Sequence, residues 1–298
     1  MVVLAWTVGI TLLYWSQAVG IEGVYESQAE FDKAAALMEK NAAFIAMAGP
    51  PRALNTVGGQ VTWQASAFGA VCAGLMSMYL IARHTRAEEE SGRDEILRAT
   101  AIGRWAPQTA ALVTALLANV LVGLCVAGSL WSYGLPTAGS VTSGLQVGLT
   151  GWVFTGTALV AAQLTQSTRG MYGIAGSVIA ISYVLRAVGD VGNGILSWLS
   201  PIGWGQAMRA FSGERLAPAL LLLVVAALAV GASYLLFERR DVGSGLLAAR
   251  PAQPGPRRRW VGPSDWPGGC NAARSSAGWS ASSSSAWPTD PSETALLT

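Results

Sequence analysis

The stretch APALLLLVVAALAVGASYLLF, residues 217–237, runs for 21 residues without a charged side chain. A helix rises about 1.5 Å per residue, so a run of this length reaches across the roughly 30 Å hydrocarbon core of a bilayer. Five other runs share its character: residues 2–19, 61–82, 109–130, 146–164 and 172–188, the last weaker and rich in Gly, Ser and Ala. Composition agrees. Of 298 residues, 52% are hydrophobic and 12% charged, about half the charge usual in soluble domains. So few charges cannot clothe a water-facing surface, which excludes a soluble enzyme. Nothing charged precedes Val2, and the first run exceeds a signal peptide's apolar core, so it reads as an anchor and not as a cleaved leader. The sequence predicts an all-α integral membrane protein with six transmembrane helices, multi-pass in the cell membrane.

Orientation follows from the arginines. Arg83, Arg86, Arg93, Arg98 and Arg104 lie between the second and third runs, Arg169 between the fourth and fifth, and Arg239 and Arg240 after the sixth. All three regions fall on one side, which the positive-inside bias makes cytoplasmic, giving an N-in/C-in arrangement. Residues 21–60 carry Glu22, Glu26, Glu30, Asp32 and Glu39 against Lys33, Lys40 and Arg52, and suit the outside. There Ser27 and Glu30 form a capping-box pattern, with Phe31, Ala34, Ala35 and Met38 at helical spacing behind it. One short outer amphipathic helix is expected, ended by Gly49-Pro50-Pro51. Residues 189–215 hold Trp198, Pro201 and Trp204, a composition that predicts two short helices dipping into the outer leaflet.

Enzymatic constellations are missing. No phosphate-binding glycine loop is present, and the two lysines, Lys33 and Lys40, both lie in the outer segment, so no cytoplasmic lysine reaches a nucleotide's phosphates. No catalytic residue, cofactor or metal site is expected: His84 is the lone histidine, and Cys72, Cys125 and Cys270 are scattered without ligand spacing. No acid falls in the middle of a span, which disfavours a proton-driven carrier. Arg186 and Asp190, spaced i,i+4 near the outer end of the fifth run, read as a structural ion pair, with a substrate contact as the alternative. Gly144 with Gly148, and Gly69 with Ala73, make small-residue faces for helix packing, and Gln64, Asn119 and Gln163 offer hydrogen bonds between helices.

The most informative polar stretch is RHTRAEEESGRDEILR, residues 83–98. As a helix it pairs Glu89 with Arg93 and Asp94 with Arg98 in the favourable acid-first order. A solvated cytoplasmic linker would also carry such charges. The order of residues, however, resembles the charged segment between the second and third spans of membrane permeases of type-2 ABC exporters. TRAEEESGRDEILRA, residues 85–99, is similar to the actinobacterial polyketide-antibiotic and multidrug branch. GGQVTW at 58–63, AQLT at 162–165, RAVGD at 186–190, SWLSPIGW at 197–204 and ERRDVGSGLL at 238–247 follow in the order of that family, so the resemblance covers residues 2–250. It implies a permease that expels a hydrophobic, drug-like compound with a separate ABC ATPase subunit, and no nucleic-acid partner. On this resemblance Arg86, Glu88, Glu89, Glu90, Gly92, Arg93, Asp94 and Glu95 form the loop that couples to the ATPase. A single six-span unit then needs a second copy or the family's C-terminal half. The rivals are a secondary carrier and a non-functional fragment of a longer permease.

Residues 1–250 are therefore read as a transmembrane permease domain and 251–298 as a disordered tail. The tail opens with the basic Arg257 to Arg259, then turns to Ser, Gly, Pro and closely spaced Trp260, Trp266, Trp279 and Trp287. Aromatics are scarce in ordinary disordered tails, and a shifted reading frame explains them. Joining the last base of each codon to the next two, Asp265-Trp266 gives Leu and Trp266-Pro267 gives Ala. Cys270-Asn271 allows only Gln or a stop.

Overall fold

The computed structural model describes residues 1–24, 27–91 and 103–239. Helices α1 (Val2–Glu22), α2 (Gln28–Met38), α3 (Ala42–Ala48), α4 (Val57–His84) and α5 (Arg86–Glu90) come first. After them follow α6 (Ala106–Ser132), α7 (Thr137–Leu164), α8 (Thr168–Val191), a 3-10 turn (Leu196–Leu199), α9 (Pro201–Gln206) and α10 (Ala217–Glu238). No strand occurs among the described residues. Six helices, α1, α4, α6, α7, α8 and α10, are long and apolar enough to cross a membrane, as the hydropathy runs predict. Gly92, Arg93, Asp94 and Glu95 of the coupling loop, and the whole of 251–298, lie outside the described residues.

Local chemistry sets the helix limits. Ser27, Thr56 and Ser167 cap α2, α4 and α8 through side-chain oxygens that accept from Glu30, Gly59 and Gly170 amides. Helix α7 starts nine residues before its hydropathy run. Ser140, Thr142 and Ser143 lower the hydropathy there, but each hydroxyl donates to a carbonyl four residues back, so the helix satisfies them internally. The outer amphipathic helix needs correction, because it is two helices. Asn41 accepts from the Ala43 and Phe44 amides, which starts α3 anew after the turn at Glu39 and Lys40.

Helix α7 is the hub, packed against α4, α6, α8 and α10. Small residues make this close packing feasible. Across the α6–α7 contact, a Cβ added at Gly123 would come within 2.8 Å of the Gly144 carbonyl oxygen, and Gly148 faces the Asn119 backbone. Gly156 meets Ala229 of α10. Gly69 of α4 receives the ring of Tyr14 from α1. Each glycine lets a neighbouring helix approach where a side chain would hold it off.

Candidate functional site

The charged stretch after the second span begins with α5, a single turn of helix. Its side chains have separate partners. Arg86 is 1% exposed, and its Nε and Nη2 both donate to the carbonyl oxygen of Ala162, in the last turn of α7. Its Nη1 donates to Glu89 Oε2 at 2.7 Å. Glu90 turns to the next span: Oε1 accepts the Thr168 amide at 2.7 Å and Oε2 accepts the Thr168 hydroxyl at 2.8 Å.

These contacts have a common electrostatic cause. The end of α7 has unpaired carbonyls and a partial negative charge, and the start of α8 has unpaired amides and a partial positive charge. Arg86 supplies the cation for the first and Glu90 the anion for the second, so α5 clasps the link between the fourth and fifth spans. Glu88 faces outward, 3.8 Å from His84 Nδ1.

The eight residues assigned to the coupling loop thus divide. Arg86, Glu89 and Glu90 fasten the loop to the membrane helices, Glu88 lies at the surface, and the other four fall beyond the described residues. Sequence reasoning missed the Glu90–Thr168 contact, whose partners lie 78 residues apart. Its only local trace is the Ser167-Thr168 start of α8, where an acid is favourable.

At the opposite end, Arg186 is fully buried and lies 3.6 Å from Asp190. It also donates to the carbonyls of Ala46 and Met47 at the end of α3, while Tyr183 donates to Met47. Ser197 donates to Asp190 Oδ1 at 2.5 Å. The pair therefore ties α3 and the 3-10 turn to the end of α8. Between the two ends, Asn119 Nδ2 donates to Ser77 Oγ at 2.8 Å, and Ser77 donates to the Gly151 carbonyl, linking α4, α6 and α7 in the interior. No group of three or more His, Cys, Asp or Glu that would hold a metal occurs among the described residues.

Six apolar spans, a polar clasp at one end and short helices at the other define a multi-pass membrane protein. Over 231 residues the chain is 39% identical to the multidrug efflux system permease protein Rv1217c of Mycobacterium tuberculosis. That alignment takes in 78% of this chain and 42% of the relative, so the chain spans less than half of that protein's length. The relative is itself an efflux permease, which agrees with the resemblance carried by residues 85–99. No protein-family model matches the chain.

Proposed function

We propose that this chain is the membrane component of an ATP-binding-cassette exporter of hydrophobic, drug-like compounds, working with a separate ATPase subunit. The observation that carries the proposal is the double attachment of α5. A partner that moves residues 86–95 delivers the displacement at once to the last turn of α7, through Arg86, and to the first turn of α8, through Glu90. A solvated linker needs neither anchor. ATP chemistry then belongs to the partner, and a second copy or a further six-span half completes the translocation path. The name of the relative, a multidrug efflux permease, supports the substrate class. A proton-driven carrier fits less well. Asp190, the acid buried within α8, sits one residue from the end of that helix and beside Arg186, away from the membrane centre.

Co-expression with a candidate ATPase subunit tests this reading. Arg93→Glu combined with Asp94→Lys reverses two charges beyond the clasp without touching Arg86 or Glu90. ATPase recovered with the tagged permease should fall by about tenfold, equivalent to about 1.4 kcal/mol of binding, and drug-stimulated ATP hydrolysis should fall with it. Full recovery and full stimulation would remove the coupling role.

A further inference from the structure

Between the ends of α8 and α9 and the start of α10 lies a cavity of about 330 Å3 on the side opposite α5. Its charged lining is Arg52, Arg209, Arg215 and Asp190. Asp190 is already matched by Arg186 behind it, at 3.6 Å. Arg52 donates one hydrogen bond, from Nη1 to the Gln206 carbonyl at 2.8 Å. Among the described residues, Arg209 and Arg215 have no ion-pair or hydrogen-bond partner for their guanidinium groups. Glu214, next to Arg215, is exposed and does not line the cavity. Burial pushes the Arg52 guanidinium below its usual range; Arg209 and Arg215 push the same way and Asp190 opposes them. Three cations thus share a small space with one acid that is already paired.

The backbone and the rim add independent signs. Arg209 is held at φ 56°, in the left-handed region that a long side chain rarely adopts, and such strain gathers at binding sites. Ile195, Leu199 and Leu216, each next in sequence to a lining residue, and Trp198 are exposed although they are large and apolar. Trp198 also lines the cavity. A charged pocket edged by exposed apolar side chains suits a ligand with a charged head and an apolar body.

We propose that this cavity binds the anionic head, phosphate or carboxylate, of an amphiphile whose apolar part lies along Ile195, Trp198, Leu199 and Leu216. Arg209 and Arg215 are the unpartnered donors for the head, with Arg52 behind them. A bilayer lipid and an exported amphiphile present the same chemistry. The site is separate from the coupling loop, so its test uses the permease alone and leaves the exporter reading untouched.

Calorimetric titration of the full chain in a non-ionic detergent tests the site, with dihexanoyl-phosphatidylglycerol below its micellar concentration as the probe. Saturable binding is expected, weakened by salt and about tenfold by either Arg209→Gln or Arg215→Gln, since each removes one charge-assisted contact. Arg215 is exposed and unpartnered, so Arg215→Gln keeps the fold even where Arg209→Gln does not. Dihexanoyl-phosphatidylcholine and inorganic phosphate separate the two halves of the ligand, and each should bind at least about tenfold more weakly. Equal affinity for phosphatidylcholine, or unchanged affinity in both arginine variants, would overturn the anion site. Equally tight binding of inorganic phosphate would overturn the amphiphile.

Discussion

Among the described residues, four arginines serve as terminators of helices. Arg86 donates to the last turn of α7, Arg104 to Phe237 and Glu238 at the end of α10, Arg186 to Ala46 and Met47 at the end of α3, and Arg52 to Gln206 at the end of α9. The reason is the solvent. Final carbonyls that water would satisfy in a soluble helix need an internal donor near a bilayer, and a cation also complements the negative end of the dipole. Arg86→Gln removes that cation and the partner of Glu89. It should cost roughly 2–4 kcal/mol, the range for breaking a buried, hydrogen-bonded charge pair. Lysine, with one compact ammonium in place of a forked guanidinium, should restore only part of it. Glu90→Gln loses the anion at the α8 terminus and should cost about 0.5–2 kcal/mol. Glu88→Ala, on a half-buried side chain 3.8 Å from His84, should stay within about 0.5 kcal/mol. Thermal unfolding of the four variants in detergent checks the order. Equal losses for Glu88 and Glu90 would mean that the clasp does not hold. The charged run was visible in the sequence; its division into fasteners and surface residues was not, because periodicity reports a face of a helix and not what lies against it.

At the scale of elements, hydropathy located all six spans, since length and apolarity are what a bilayer demands. It failed where polar groups are satisfied inside the helix, as at Ser140, Thr142 and Ser143, which hid the first two turns of α7. It failed again at Asn41, whose cap splits the outer helix although the apolar spacing continues through it. The small-residue pattern was more informative. Gly144 and Gly148, a small-residue face in the sequence, set the α6–α7 contact, where the backbones of Gly123 and Gly144 meet. Gly144→Val would drive a branched side chain into backbone that has nowhere to move. A loss of about 1–3 kcal/mol is expected, as for overpacking a core. Gly128→Val, on α6 with nothing within 4 Å of the added Cβ, is the control and should leave the melting temperature nearly unchanged. Similar losses at both positions would show that helix propensity, not contact, sets the effect.

For the molecule as a whole, burial is uneven among the spans: 72% of the apolar window of α7 is buried, against 17% for α10 and 22% for α1. The hub is enclosed by protein, while α1 and α10 present apolar faces suited to lipid or to another helical unit. We propose, from composition, that the membrane unit is residues 1–250, so truncation at Pro251 should leave the melting temperature unchanged. Sidedness ties these features to the proposed function, which requires the α5 clasp to face a cytoplasmic ATPase and the arginine-lined cavity to face outward. The argument for it is the arginine excess between the second and third spans set against the net acidity of residues 21–60. Single cysteines at Lys33 and Ser91, both exposed, test it in a background with Cys72, Cys125 and Cys270 replaced by alanine. An impermeant thiol reagent applied to intact cells should label Lys33→Cys, and Ser91→Cys only after the membrane is opened. Labelling of both in intact cells would place α5 outside, where no ATPase can reach it. The coupling role of Arg86 and Glu90 would then have to be abandoned, even though their hydrogen bonds would stand.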